Sequence, residues 1–336
     1  MPETVSVAAL EALAAAAFER AGADPGIARR VARALVAAER DGQDGHGLSR
    51  VPSYAAQVRA GKVDGRAEPR VERQAPGLLR VDACHGFAFP ALDAAIAALA
   101  PLTRQQGVAA AAIHRSHHAG QLGPHVERLA GEGLVALMVS NTPGAMAPWG
   151  GRTPLLGTNP IAFAAPREGT EPLVIDLSLS AVARGKVMAA RRRGEPIPEG
   201  IALDAEGRPT TDPAAAMAGT MLPAGGAKGA ALALMVEVLA AALTGARLAG
   251  EASSLFDDRG DPPGLGQTII AVDPAASSGG AFPATLERLA RAVEAEEGAR
   301  LPGAGRRERR ARSEIDVDDA VLADLRSLAQ GGERRS

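Results

Sequence analysis

The sequence predicts an α/β fold in which strands alternate with helices. Short apolar runs bounded by turn residues recur at 78–82, 108–113, 134–139, 173–175 and 268–272, each the length of a buried strand. Ala-rich or amphipathic stretches of helical length separate several of them. Two of the runs empty into polar, flexible segments, residues 114–120 and Asn141-Thr142-Pro143-Gly144. Ligands of layered strand–helix folds bind at such strand ends.

In chain order, residues 6–40 form two helices broken at Gly22-Ala23-Asp24-Pro25. Asp24 suits the N-cap of the second helix and Pro25 its first turn. That helix ends near Asp41-Gly42, and residues 43–50 read QDGHGLSR. His46 and Arg50 lie four apart and share a face if a helix begins here. An imidazole beside a guanidinium suits an enzyme that must hold a carboxylate and move a proton, although as residues alone the pair also fits a surface loop. Residues 51–62 continue as a helix closed by Gly61, and 64–77 read as a charged, turn-rich connector. After the strand at 78–82, His85 reads as a turn residue and a helix spans 91–106.

Between the strands at 108–113 and 134–139 lies a turn holding three of the six histidines, His114, His117 and His118. A short helix then runs to about Gly131, with His125 inside it as a structural or exposed residue. His114 can be satisfied by backbone at its strand end. Ser116-His117-His118 lacks metal-ligand spacing, and no Glu or Cys pairs with it, so no metal is expected. The strand at 173–175 ends at Asp176, followed by Leu177 and Ser178. An acid with hydroxyls there suits ribose or an amide, and Asp equally caps helices. A helix carrying Gly185-Lys186 and Arg191-Arg192-Arg193 follows, then loop-rich sequence to 225. Gly225-Gly226-Ala227-Lys228-Gly229 opens an apolar helix, 230–243. Its N–H groups, dipole and ammonium would cradle a phosphate or carboxylate, without the Ser/Thr of a Walker A loop. No GxGxxG follows a predicted strand, which argues against a standard Rossmann domain. After the strand at 268–272 come a helix at 283–297, the arginines 306, 307, 309, 310 and 312, and a closing helix at 318–329. The arginine run reads mainly as a solvated charged face.

Composition narrows the function classes. A chain of 336 residues, 46% hydrophobic, can bury a substantial core. A net charge of −2 and 2% aromatic residues argue against nucleic acid or a membrane surface as partner. One cysteine, Cys84, excludes an internal disulfide framework and suits a reducing cytosol. No basic N-terminal region precedes an apolar stretch, and no run reaches a membrane span of ~18 residues, so a cytoplasmic location is expected.

Ser116-His117-His118-Ala119-Gly120, Ala147-Pro148-Trp149-Gly150-Gly151 and Gly157-Thr158-Asn159-Pro160-Ile161-Ala162-Phe163 resemble the malate/L-lactate dehydrogenase family 2, across roughly residues 5–305. These nicotinamide-dependent enzymes are unrelated to the Rossmann-type lactate dehydrogenases. The resemblance implies a non-Rossmann nucleotide-binding domain with a mostly antiparallel sheet, residues 76–282. It also implies a helical domain from both chain ends, 1–75 with 283–336, and an intertwined homodimer. NADPH or NADH would be the cofactor and a small carboxylate the substrate.

Carried onto this sequence, His46 of His-Gly-x-x-Arg would donate the proton, with His118 as competing acid/base, and Arg50 would grip the carboxylate. Thr158 would contact substrate. Lys186 would join the catalytic group, matching the hydroxy-acid branch where some piperideine-carboxylate reductases place Asp. His118, Ala119, Gly120, Gln121, Leu122, Asp176, Leu177, Ser178, Ala227, Lys228, Arg300, Pro302 and Gly303 would hold the dinucleotide. Gly45 and Ala227 replace the usual Ser and His. Strings such as GTNPIAFAAP, PTTDP and LMVEVLAAALTG favour cyclic 2-imino-acid reductases making L-proline or L-pipecolate. The alternative is a 2-hydroxy-acid dehydrogenase of malate, L-lactate, ureidoglycolate or sulfolactate type.

Overall fold

The computed structural model describes residues 2–303 and 305–332, with the side chains of Arg192 and Arg307 outside the described set. The chain runs β1 (Glu3–Ser6), α1 (Val7–Ala21), α2 (Pro25–Arg40), α3 (Val51–Arg59), β2 (Arg70–Ala75), β3 (Leu78–Asp82), α4 (Ala88–Gln106) and β4 (Val108–Ser116). It continues α5 (Gly123–Gly131), β5 (Val135–Ser140), β6 (Ile161–Ala165), β7 (Leu173–Leu177), α6 (Arg184–Arg193), β8 (Ala202–Leu203), α7 (Pro213–Ala218), β9 (Thr220–Met221) and α8 (Ala227–Glu237). Last come β10 (Leu265–Val272), α9 (Pro274–Ser278), α10 (Phe282–Glu294), α11 (Arg306–Arg310), β11 (Glu314–Val317) and α12 (Asp319–Ala329).

The described residues build a seven-stranded sheet ordered β2-β3-β4-β10-β5-β6-β7. It is mostly antiparallel, as the resemblance implied; β3 and β4 are the parallel pair, with α4 as their crossover. The apolar side chains of α4 and α5 pack on the sheet through Leu92, Ile96, Leu99, Val126 and Leu129. On α8, the helix loosens into one π turn at Val238–Ala242, where Thr268 Oγ1 donates to Leu239 O at 2.7 Å. Gly266 permits this approach, because a Cβ there would collide with Ala240 O.

The two ends of the chain meet. β1 pairs antiparallel with β11, Glu3 opposite Val317. Leu10, Phe18, Val31, Leu35, Leu48 and Tyr54 share one buried core with Ile315, Leu322, Leu325 and Leu328. Asp24 caps α2 as expected, accepting from Gly26 N at 2.7 Å and Ile27 N at 3.1 Å. α10 lies instead beside the sheet's β6–β7 side, where Arg167 pairs with Glu287 at 3.0 Å. Among the described residues, no helix is long and apolar enough to cross a membrane.

Three expectations are corrected. Part of the 64–77 connector is the edge strand β2, exposed along its length; pairing with β3 overrides its charge, and charged side chains blunt a free edge. The arginine run is not simply solvated. Arg306 and Arg310 face the buried Asp41 and Glu127, Arg310 at 3.2 and 2.7 Å. The helix expected at 230–243 begins at Ala227, three residues earlier, with the π turn as its end.

Candidate active site

Strand register gathers the predicted residues at one end of the sheet. Leu265 pairs with Ser116, Gln267 with Ser140, Val139 with Ile161 and Ile161 with Leu177. The segments after β4, β5 and β7 and before β6 and β10 therefore emerge side by side. They carry His117–His118, Asn141–Thr142, Ser178, Thr158–Asn159 and Gly266. Their backbone is tied down by the buried Glu237. It accepts from Asn141 Nδ2 at 3.3 Å, Asn159 Nδ2 at 2.8 Å and Ala249 N at 2.6 Å.

His46 arrives from the helical side on a short 3-10 turn, Asp44–His46. A second such turn, Leu48–Arg50, feeds α3. Glu39 of α2 holds the junction by accepting Leu48 N–H at 2.7 Å, and any Cβ at position 47 would strike its carboxylate, so Gly47 is required. Burial pushes the Glu39 carboxyl up to about 7. The His46 ring stacks on His118, with centroids 5.3 Å apart and 16° between planes. Burial, then the Arg50 charge, pull His46 down to about 4, so its imidazole is neutral at pH 7.

Arg50 is 9% exposed and donates from Nε to Gly45 O at 2.7 Å. Its guanidinium carbon lies 4.4 Å above the centre of the Phe256 ring, a cation–π arrangement. Its Nη1 is buried with no hydrogen-bond partner among the described residues. A buried cationic donor left unmade is costly, so this atom asks for an anion. The segment carrying Phe256 is pinned by the buried Lys62, whose Nζ donates to Ser254 O and Arg259 O at 2.7 and 2.6 Å. Gln57 links that segment to the histidines, donating to Asp257 O at 2.9 Å and lying 2.8 Å from His117 Nε2. Tyr54 Oη lies 2.5 Å from His118 Nδ1. Burial lowers His117 to about 3 and His118 well below the usual histidine range.

The structure thus brings His46, Arg50 and His118 into one cluster. Tyr54, Gln57, Lys62, Phe256 and Glu39 are partners that sequence reasoning missed. Arg50, Tyr54 and Gln57 follow a helical i, i+4, i+7 spacing, which was the available signal. Thr158 sits on the neighbouring loop, its hydroxyl 3.2 Å from Thr142 Oγ1. Lys186 is exposed on α6, while its neighbour Gly185 lies against the His46 turn; a Cβ there would be 3.6 Å from Gly45 Cα. Arg184, next to it, is half-buried and donates to Gly144 O at 3.2 Å, with no carboxylate partner among the described residues.

The cofactor candidates form separate stretches. Ala119, Gln121 and Leu122 are buried in the β4–α5 loop with Gly120. His125 also serves that loop: its Nε2 lies 3.1 Å from Ala119 O, and burial lowers its pKa to about 4. Asp176 caps α5 by accepting Gly123 N–H at 2.6 Å, with Arg306 beside it. Leu177 is exposed, and Ser178 Oγ lies 2.7 Å from Ser180 Oγ. Ala227 and Lys228 open α8, whose N-terminus has no side-chain cap, the kind of end that receives an anion. Arg300, Pro302 and Gly303 lie exposed before α11. Loops that offer backbone N–H groups, an uncapped helix start and a lysine fit a dinucleotide.

A profile of the malate/L-lactate dehydrogenase family matches residues 5–326. The chain is 55% identical to a (2R)-3-sulfolactate dehydrogenase (NADP(+)) of Chromohalobacter salexigens, over 98% of this chain and 99% of the relative. It is 45% identical to a Δ1-pyrroline-2-carboxylate/Δ1-piperideine-2-carboxylate reductase of Pseudomonas putida, over 95% of each. The solved Δ1-piperideine-2-carboxylate reductase of Pseudomonas syringae superposes with a TM-score of 0.90 at 43% identity, over 97% of this chain and 99% of that one. Sulfolactate dehydrogenase of Methanocaldococcus jannaschii superposes at 0.89 with 26% identity, over 98% of both chains.

Proposed function

The chain belongs to the malate/L-lactate dehydrogenase family and is an NAD(P)-dependent oxidoreductase; on that premise we propose that it oxidises a 2-hydroxy acid carrying a second anion, of the sulfolactate type, with NADP+. The observation that carries the proposal is the neutral His46 imidazole beside the unpaired Nη1 of Arg50. Arg50 would bind the substrate carboxylate, stacked and steadied by Phe256. His46, neutral and stacked on His118, would take the hydroxyl proton as C2 is oxidised. In the reverse direction a carboxylate on Arg50 offsets the guanidinium charge that depresses His46, so the ring regains its proton more readily. A bound dinucleotide would supply the hydride acceptor for C2. Thr158 would hydrogen-bond the substrate, and Lys186 would add positive charge at the mouth. The dinucleotide would lie along 118–122, 176–178, Ala227–Lys228 and 300–303.

Two observations favour a hydroxy acid with a second anion. The 55% identical relative is named for one. Arg184 adds a half-buried guanidinium that donates to Gly144 O and has no carboxylate partner among the described residues, and its neighbour Gly185 lies against the His46 turn. Gly45 also supplies no hydroxyl to relay protons to His46. The second reading, a cyclic 2-imino-acid reductase, is supported by the relatives at 45% and 43% identity. The test is one panel: NADP+ reduction with sulfolactate, malate and lactate, against NADPH oxidation with Δ1-pyrroline-2-carboxylate. Sulfolactate should give the highest kcat/KM; a higher value with the cyclic imine would reverse the assignment.

The subunit would pair with a second copy. Leu234 and Val238 of the α8 region and Leu243 beyond it are 57%, 53% and 62% exposed, an apolar surface that water disfavours.

A further inference from the structure

We propose that Tyr54 fixes the tautomer of His118, making His118 Nε2–H a constant hydrogen-bond donor at the reaction centre and leaving His46 as the group that exchanges the proton. This rests on the active-site reading above and divides the work between two rings that the sequence left in competition.

Tyr54 is fully buried on α3, and its hydroxyl lies 2.5 Å from His118 Nδ1. Among the described residues that nitrogen is its only hydrogen-bond partner. Burial raises the phenol above its ordinary pKa, so the O–H keeps its proton. A buried hydroxyl hydrogen without an acceptor is penalised, so it points at Nδ1, which must then present a lone pair. Burial, then the charge of Arg50, hold His118 neutral. A neutral imidazole with its lone pair on Nδ1 carries its hydrogen on Nε2.

The neighbours keep this choice in place. His117 cannot compete for the phenol, because its Nε2 lies 2.8 Å from Gln57 Oε1 and its ring meets Tyr54 edge-on at 4.9 Å. Phe87 backs the Tyr54 ring at 5.7 Å. His46 differs. Among the described residues no side chain hydrogen-bonds its ring, which is held by stacking on His118 alone. One ring is locked and the other is free to gain and lose a proton. A fixed neutral donor aimed at the substrate oxygen stabilises charge as it develops there.

The test uses the full-length protein labelled with 15N-histidine, the His118 signals being identified by their loss in His118→Gln. At pH 7.5 His118 should show unprotonated Nδ1 and protonated Nε2; the opposite tautomer in the unmodified protein overturns the proposal, whatever the substrate proves to be. Tyr54→Phe preserves shape and should fold. It should lower kcat by roughly tenfold to a hundredfold, the loss seen when a hydrogen-bond partner that orients a metal-bound histidine is removed, with KM for the hydroxy acid little changed. It should also raise the pH of the acidic limb of the rate profile, because His118 Nδ1 can then take a proton. A folded Tyr54→Phe protein with unaltered kcat and pH profile contradicts the proposal. A locked tautomer in a protein that turns over neither substrate class would instead refute the functional reading alone.

Discussion

His46 and His118 stack with ring centroids 5.3 Å apart, although one rides a 3-10 turn after α2 and the other leaves the end of β4. Two protonated rings would repel at that distance; the stack stands because burial keeps both neutral at pH 7. If His46 is the proton-exchanging group, His46→Ala should lower kcat by roughly 10²–10⁴-fold while His118→Gln leaves a different residual pH profile. Steady-state kinetics across pH 5–9 separate the two.

Arg50 offers a buried, unpaired Nη1. Arg50→Ala should lower kcat/KM by the equivalent of about 2–5 kcal/mol, the cost of removing one partner from a buried charged pair. Arg50→Lys should recover only part, since an ammonium lacks the planar fork and the stacking on Phe256. Product inhibition by simple carboxylates should weaken in parallel.

Arg184 should separate substrates. Arg184→Met should raise KM for sulfolactate about tenfold or more, one charge-assisted contact being worth roughly 1.5–3 kcal/mol. KM for lactate should hardly move. Equal effects on both substrates would remove Arg184 from the second-anion site.

The histidines make the fold acid-labile. His46, His117 and His125 have folded pKa values of about 4, 3 and 4, below the ordinary value near 6.5. The stability from keeping them neutral is fully present above pH 6.5 and is lost as pH falls through their folded values. Each can contribute up to about 1.4 kcal/mol per pH unit in that window. Glu39 works oppositely, its stabilisation being present below about pH 4.5 and lost as pH rises through about 7, but it is one group against several. The urea midpoint at pH 5 should therefore lie below that at pH 7.5.

The apolar surface around Leu234 and Val238 predicts a dimer by light scattering. Leu234→Glu with Val238→Glu should shift it toward monomer without loss of helix content.

Much of the fold was legible because long, regular patterns carry it. The apolar strands 108–113 and 134–139 and the Asp24-Pro25 cap appear where the residues placed them. β2 was not legible, since a charged edge strand differs from a connector only through its partner β3. Nor could β8 and β9, two residues each, show a period. At the site, His46, Arg50 and His118 could be named from motif and spacing. Lys62 and Phe256 could not, because their roles arise from contacts far apart in sequence, such as Lys62 with Ser254, whereas Tyr54 gave only its helical spacing from Arg50. The buried pairing of Arg310 with Asp41 was hidden for the same reason.

A crystal structure of the ternary complex with NADP+ and a non-reacting hydroxy-acid analogue is the most direct measurement. The carboxylate should lie on Arg50, the C2 oxygen between His46 and His118 Nε2, and nicotinamide C4 roughly 3–3.5 Å from C2. A nicotinamide ring bound away from both His46 and Arg50 would contradict it.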